Sequence, residues 1–211
     1  MRSLSAVEMK DASPDSVSGS VSAPQIIFYY SEQTVASGGK DQPTPQAKIS
    51  RDVEESLFGG KSPRVGVIAR RFDRFKINVS SLTAKSDPIF NAQSAPVVVV
   101  KASDGSKVAT LPGKVTEDTL LAAMLKALQK DKVDAPRLIA QGVEALNQIR
   151  KLVDERDRLK LNLAQLTAKM ADGGGKAEAL KARETLARAE LAQVEKNLAA
   201  AYEKLKKAKE S

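Results

Sequence analysis

Residues 94–108 read SAPVVVVKASDGSKV. Four consecutive valines after a proline make a strand with no polar position on either face, so other parts of the chain have to cover both sides of it. Pro96 stands at the start of the run, where its missing N–H costs no ladder bond. Asp104-Gly105 supplies a hairpin turn, and Ser106 to Leu111 can pair back antiparallel. Thr116-Glu117-Asp118-Thr119 then caps an amphipathic helix carrying Leu120, Leu121, Met124, Leu125 and Leu128.

Upstream, Gln25-Ile26-Ile27-Phe28-Tyr29-Tyr30 is a second strand that is apolar on both faces, which places it centrally in a sheet. It ends abruptly in Ser31-Glu32-Gln33-Thr34. The stretch from Ser37 to Pro45, rich in Gly and Pro, reads as a loop. Ile49, Val53, Leu57 and Phe58 recur at helical spacing, with Ser50 as a candidate cap and Gly59-Gly60 as the stop. Ser62-Pro63 opens a second helix carrying Val65, Ile68, Ala69 and Phe72. Phe75-Lys76-Ile77-Asn78-Val79 alternates with period two and reads as a strand. Residues 24–130 therefore form an α/β domain: a mixed sheet of about four strands with flanking helices. Residues 1–23 have little to bury and are expected to form a flexible leader.

Residues 131–211 change style. From Pro136 onward, Leu138, Ala145, Ile149, Leu152, Leu159, Leu163, Leu166 and Met170 recur at three or four. Asp172-Gly173-Gly174-Gly175 breaks the pattern, and a second series runs through Leu180, Ala187, Leu191, Val194, Leu198, Ala201 and Leu205. Equal arms over about 136–171 and 176–209, joined by a short glycine turn, suggest a long antiparallel helical hairpin. Arg156 and Glu184 fall in the seams of the two arms. Their stems are expected to cover apolar surface while their heads reach water. Alanines narrow the second stripe, so the hairpin is expected to need a protein partner or another copy of the chain.

The chain has neither Cys nor His. Thiol redox chemistry, Cys or His nucleophiles, Ser–His–Asp triads and thiolate or imidazole metal sites are thereby excluded. No cofactor or metal site is expected. The net charge of +8 is spread evenly, with seventeen basic and thirteen acidic residues in each of 1–130 and 131–211. That distribution disfavours a nucleic-acid partner, since no half concentrates the charge. No apolar run approaches the roughly 18 residues of a membrane span. The first residues lack the apolar core of a signal peptide, so the chain reads as cytoplasmic as written. An exported or periplasmic location stays open if the N-terminus is processed.

The stretch from Ser94 to Val108 resembles the thioredoxin-like fold family, in which a small residue and a cis-proline precede a buried strand, a charged turn and an antiparallel strand. Phe75 to Ser80 looks like the family's central strand, and Gly113 with the helix from Thr116 fits its ending. The resemblance covers about half of the chain. It implies that FYYSEQTVAS, residues 28–37, stands where the family carries its strand, an aromatic and Cys-x-x-Cys. A gap-free match puts Thr34 and Ser37 at the two cysteine positions. A hydroxyl cannot form the mixed disulfide, so the redox activity does not carry over. The resemblance also implies that Ala95, before Pro96, offers backbone groups to an extended peptide. The alternative is that Pro96 merely starts a strand.

Three function classes follow. The first is a non-catalytic interaction or scaffold protein, with a degenerate thioredoxin-like head and a helical assembly element. The second is a cysteine-independent enzyme using Glu32, Asp73 or Asp87 with Thr34, although isolated acidic residues on loops are mostly solvated. The third is a basic nucleic-acid- or ribosome-associated factor, using Arg70, Arg71 and Arg74 or the C-terminal Lys204, Lys206, Lys207 and Lys209. A solvated helix face and a charged helix end explain these two groups equally well.

Overall fold

The structure is a computed structural model and describes residues 6–13, 17, 23–37, 40–82, 95–171 and 177–210. In chain order, β1 is Lys10–Asp11, β2 Gln25–Tyr30, β3 Thr34–Ser37 and β4 Lys40–Pro43. Helices α1, Pro45–Val53, and α2, Pro63–Ile68, lead into β5, Asp73–Asn78. Strands β6, Val97–Lys101, and β7, Lys107–Pro112, come next. Helices α3, Glu117–Lys130, α4, Ala135–Ala171, and α5, Ala177–Glu210, complete the order. The chain divides into two compact units, 1–140 and 141–211.

In the first unit a mixed five-stranded sheet has the order β1-β5-β2-β6-β7, and β3 and β4 form a separate two-stranded ribbon. Strand β2 is parallel to β5 on one side and antiparallel to β6 on the other. Alternation along the strands sorts their side chains between two cores. Ile26, Phe28, Val98 and Val100 enter a large cluster with Val53, Leu57, Val65, Ile68, Leu120 and Met124 from the helices. Ile27, Tyr29, Val97 and Val99 enter a smaller one with Ile77, Val17 and Leu82. Both faces of β2 and β6 are covered, as their unbroken apolar sequences require.

The local signals around these strands resolve in instructive ways. Thr116 and Thr119 form a reciprocal capping box at the start of α3. Gly105 turns the β6–β7 connection with φ 77°, and Asp104 accepts the Ser106 N–H at 2.8 Å. Gly59 ends the helical stretch after Phe58; a Cβ there would collide with the Glu55 carbonyl oxygen. Arg64 at the start of α2 reaches Glu117 at 2.8 Å and Asp118 at 3.1 Å in the first turn of α3.

Four expectations need correction. The sheet has five strands because the segment read as a leader supplies β1, which pairs in parallel with β5 through Lys10 and Asp11. Val7 and Met9 are buried in the larger core, so this stretch does have something to bury. The stretch read as a loop after Ser37 instead folds back as β4 against β3. Helix α1 begins at Pro45, capped by the Thr44 hydroxyl, so Ser50 lies inside the helix and is not its cap. Ser62 stands at the N-cap position of α2, but its hydroxyl makes no capping bond and has no partner.

Helix α4 begins within the first unit, where Ala135 and Leu138 join its core, and it continues into the second. In the second unit, the buried and half-buried positions of α4 are 142, 143, 145, 146, 149, 152, 153, 156, 159, 163, 166 and 170; those described on α5 are 180, 184, 187, 191, 194, 198, 201 and 205. The α5 set alternates spacings of four and three, as α4 does from 156 onward, whereas the earlier turns of α4 cover a broader face. Lys160 Nζ lies 3.7 Å from the Glu195 carboxylate, so the two helices meet there. Arg156 pairs with its neighbour Asp157 at 2.7 Å, and Glu184 with Arg188 one turn on. Each seam charge thus finds a partner on its own helix.

Met9 separates the two readings of the N-terminal segment. Met9→Ala should lower unfolding stability by about 2 kcal/mol, the low end for a buried large-to-small change. Chemical denaturation measures this; a flexible leader would leave the midpoint unmoved.

Candidate functional site

The end of β2 lies at the carboxyl side of the parallel pair β2–β5, the edge of an α/β sheet where ligands commonly bind. The residues that follow Tyr30 use their polar groups to hold the backbone. The Ser31 N–H donates to Ser50 Oγ on α1 at 3.1 Å, and both serines are buried. The Gln33 N–H donates to Ser31 Oγ at 3.3 Å. The Gln33 carbonyl accepts from the Thr44 N–H at 2.9 Å, and Thr44 caps α1 through the Ala47 N–H at 3.2 Å. Ser50, the candidate cap, is therefore the anchor that ties the strand end to the helix.

Thr34 and Ser37 begin and end β3, paired in register with Pro43 and Lys40. They do not stand at a helix N-terminus, where the macrodipole could lower the pKa of a nucleophile. Positions three apart on a strand also belong to opposite faces. The two positions thus share a ribbon without converging on one reacting atom.

The Ala95–Pro96 peptide bond is cis. Val97 is paired with Tyr29, so Pro96 adjoins the level of Tyr30 on the neighbouring strand. Pro96 is buried and its carbonyl accepts the Gly113 N–H at 2.8 Å, whereas Ala95 is half-buried. The structure therefore brings Ala95 and Pro96 to the same end of the sheet as Ser31 and Thr34.

The other candidates do not assemble there. Asp73 pairs with Gln25 at the far end of β2, about 17 Å along the strand from Asn78. Glu32 sits at the near end and accepts from Asn78 Nδ2 at 3.1 Å. Asp73, Glu32 and Thr34 cannot act on one substrate atom, and Asp87 lies outside the described residues. Arg70 and Arg71 occupy the short 3-10 turn Ala69–Arg71, and Arg74 lies in β5, also at the far end. All three are half-buried, which corrects the expectation of a solvated helix face. Burial lowers the pKa of Arg70. Burial and then the neighbouring Arg70 charge lower that of Arg74, against Asp73 and Glu8. Lys204 and Lys206 are exposed on α5. The side chains of Lys207 and Lys209 lie outside those described.

A cluster that the sequence reading missed centres on Lys76. Its ammonium lies 3.7 Å from both Asp11 and Glu54 and 5.5 Å from the centre of the Tyr30 ring. The ring is stacked on Phe28 at 5.9 Å. Burial pulls the Lys76 pKa down, but Glu54 and Asp11, with Tyr30 and Glu32, outweigh it and raise the value overall. Burial and then Glu32 raise the Tyr30 pKa, with Lys76 opposing. The sequence did hold a signal. Arg74, Lys76 and Asn78 are the polar members of an alternating strand, beside a β2 whose two faces are both apolar. Their face had to be covered, so a lysine on it had to find counter-charges.

Two cavities open beside this cluster. One of about 380 Å³ is lined by Tyr30, Thr34, Asp41, Pro43, Arg51 and Glu54, among others. The other, of about 860 Å³, includes Val7, Met9, Asp11, Phe58 and Lys76 and shares Arg51 and Glu54 with the first. Among the described residues no group of three or more Asp and Glu side chains is placed to hold a metal ion. Among them, too, no helix is long and apolar enough to cross a membrane. No protein-family model matches the chain, and no curated protein matches it.

The raised pKa values fix a pH dependence. Tyr30 and Lys76 both hold their protons to higher pH in the folded state than the ordinary 10.0 and 10.5. The stability they contribute is thus complete below those values and lost as pH rises through the folded ones. Phenolate absorbance should show Tyr30 ionising late, and Tyr30→Phe should remove that step. A titration unchanged by the substitution would contradict the arrangement.

Proposed function

We infer that the chain is a non-catalytic protein-interaction or scaffold protein, with a thioredoxin-like head and a paired-helix assembly element. The observation that carries this reading is the strand end itself. The Ser31 and Ser50 hydroxyls and the Ser31, Gln33 and Thr44 amides are engaged in ties that make a shelf at the same end of the sheet as Ala95 and Pro96, and among the described residues of this strand end no nucleophile is paired with a base. The mixed sheet and the cis-proline before β6 support the thioredoxin-like identification. In that family the residue before the proline offers backbone to an extended peptide, and Ala95 is half-buried at the corresponding place. The half-burial of Arg70, Arg71 and Arg74 gives a nucleic-acid reading less support.

The four-three alternation on α5, and on α4 from 156 onward, is the spacing of a coiled-coil seam, and the Lys160–Glu195 pair supports an antiparallel hairpin. The alanines at 187 and 201 leave the α5 stripe narrow, which supports a protein partner or a second copy of the chain at this element.

The head is tested with the full chain and a library of extended peptides, read by backbone amide shifts. Bound peptides should shift Tyr30, Thr34 and Ala95, and Ala95→Arg should weaken them by about tenfold, the effect of roughly 1.4 kcal/mol. Shifts confined elsewhere, or no binding, would remove the docking reading. The arms are tested by thermal melting of Leu159→Asp, which places a charge among buried seam positions and should cost several kcal/mol. A melting midpoint independent of protein concentration supports pairing within one chain. A concentration-dependent midpoint means that arms pair between copies.

A further inference from the structure

The two cavities beside Lys76 share Arg51 and Glu54 in their linings, and the groove they make up extends from the end of β2 to the N-terminal segment. Val7, Met9 and Phe58 form its floor, where the Val7 N–H holds the Phe58 carbonyl at 2.8 Å. The sheet edge strand β1 follows directly on this segment. The rim is charged and one-sided. Glu8, Asp11, Glu54 and Glu55 stand on the larger cavity, and Glu32 and Asp41 on the smaller. Arg51 and Lys76 line the same cavities, and Lys61 and Arg74 stand near Glu55 and Glu8, so six carboxylates face four cations in a chain whose net charge is +8. Like charges around a concavity with low-dielectric walls focus their potential on whatever enters it.

We propose that this groove docks an extended segment of a partner protein in which an apolar side chain is flanked by Lys or Arg. The apolar residue meets the floor of Val7, Met9 and Phe58, and the flanking cations meet the rim. Lys76 displays the surround such a cation would find: its ammonium sits between Asp11 and Glu54 beside the Tyr30 ring, with only a quarter of its side chain exposed. Lys76 serves Asp11 and Glu54, and Lys61 serves Glu55 at 2.8 Å. Glu8, which also acts on Arg74, and Asp41 are exposed on the rim and accessible to an incoming cation. An anionic partner, nucleic acid included, is repelled by the same rim. This inference names the partner chemistry for the docking reading above and rests on that reading.

The test uses the full chain and two labelled octapeptides in fluorescence anisotropy. One alternates Lys with Val and the other alternates Glu with Val. The cationic peptide should bind and the anionic one should not, with affinity falling about tenfold between roughly 20 and 200 mM salt as screening grows. Glu8→Gln with Asp41→Asn should weaken binding about fivefold, on the scale of two exposed charge contacts. Arg51→Glu should tighten it, a gain that a folding defect cannot mimic. Glu178→Gln, on α5, should change nothing. Equal binding of both peptides, or an affinity unmoved by Arg51→Glu, overturns the proposal. If the anionic peptide alone binds and shifts Tyr30 and Ala95, the docking reading stands and the charge inference falls. If neither peptide binds, the groove is no docking site.

Discussion

Strand β2 has to be buried on both faces. Ile26 and Phe28 point one way, Ile27 and Tyr29 the other, and all four are nearly or fully excluded from water. At about 1.5–3 kcal/mol for each large apolar side chain removed from water, no arrangement that exposes one face can compete. From this the rest of the first unit follows. A strand covered twice needs neighbours on both edges, which are β5 in parallel and β6 antiparallel. It also needs cover on both faces. The helices that carry Leu57, Ile68 and Met124 supply one cover, and a small cluster that includes Val17 and Leu82 supplies the other.

The same constraint shapes the strand end. Where β2 leaves the core its backbone groups still need partners, because buried amides without hydrogen bonds are costly. Ser31, Ser50, Gln33 and Thr44 provide them. Polar residues that look like the remains of a reactive site therefore act as fasteners, and Ser50 is buried in mid-helix because its hydroxyl is one of them. Lys76 answers the same need for charge. Its face of β5 is covered, so its ammonium meets Glu54 and Asp11 beside a stacked aromatic ring. The groove next to it owes its acidic rim to side chains from the N-terminal segment, the end of β2, the ribbon and the helical turn Glu54–Phe58 that follows α1, brought together across the sequence.

The second unit obeys a simpler rule. Buried positions separated by four and three residues keep one narrow stripe on α5 and on α4 from 156 onward, and charges beside them pair along each helix or, at Lys160 and Glu195, between the two. Arg156 and Glu184 interrupt the stripes without an opposing buried charge, because each reaches an ion partner on its own helix at the solvent margin.

Much of this was legible in the residues themselves. The valine run after Pro96, the Asp104-Gly105 turn, the Thr116 cap and the three-four spacing of residues 136–209 are local patterns whose period or cap geometry has one cheap solution. The α/β class of residues 24–130 follows from two strands with no polar face. The long-range pairings were not legible. Val7, Met9 and β1 sit in a segment that looks too polar to fold, and it is ordered by a ready-made edge of β5. The Gly- and Pro-rich stretch after Ser37 became a ribbon because it had a strand beside it to pair with. Asp11, Tyr30, Glu54 and Lys76 are far apart in the chain, and their meeting depends on strand register and on how α1 crosses the sheet. Local sequence determines which segments bury apolar surface and where turns fall, since those energies are decided within a few residues. Only the tertiary structure decides which distant charges share a low-dielectric surface, since that depends on distances set by the whole packed sheet.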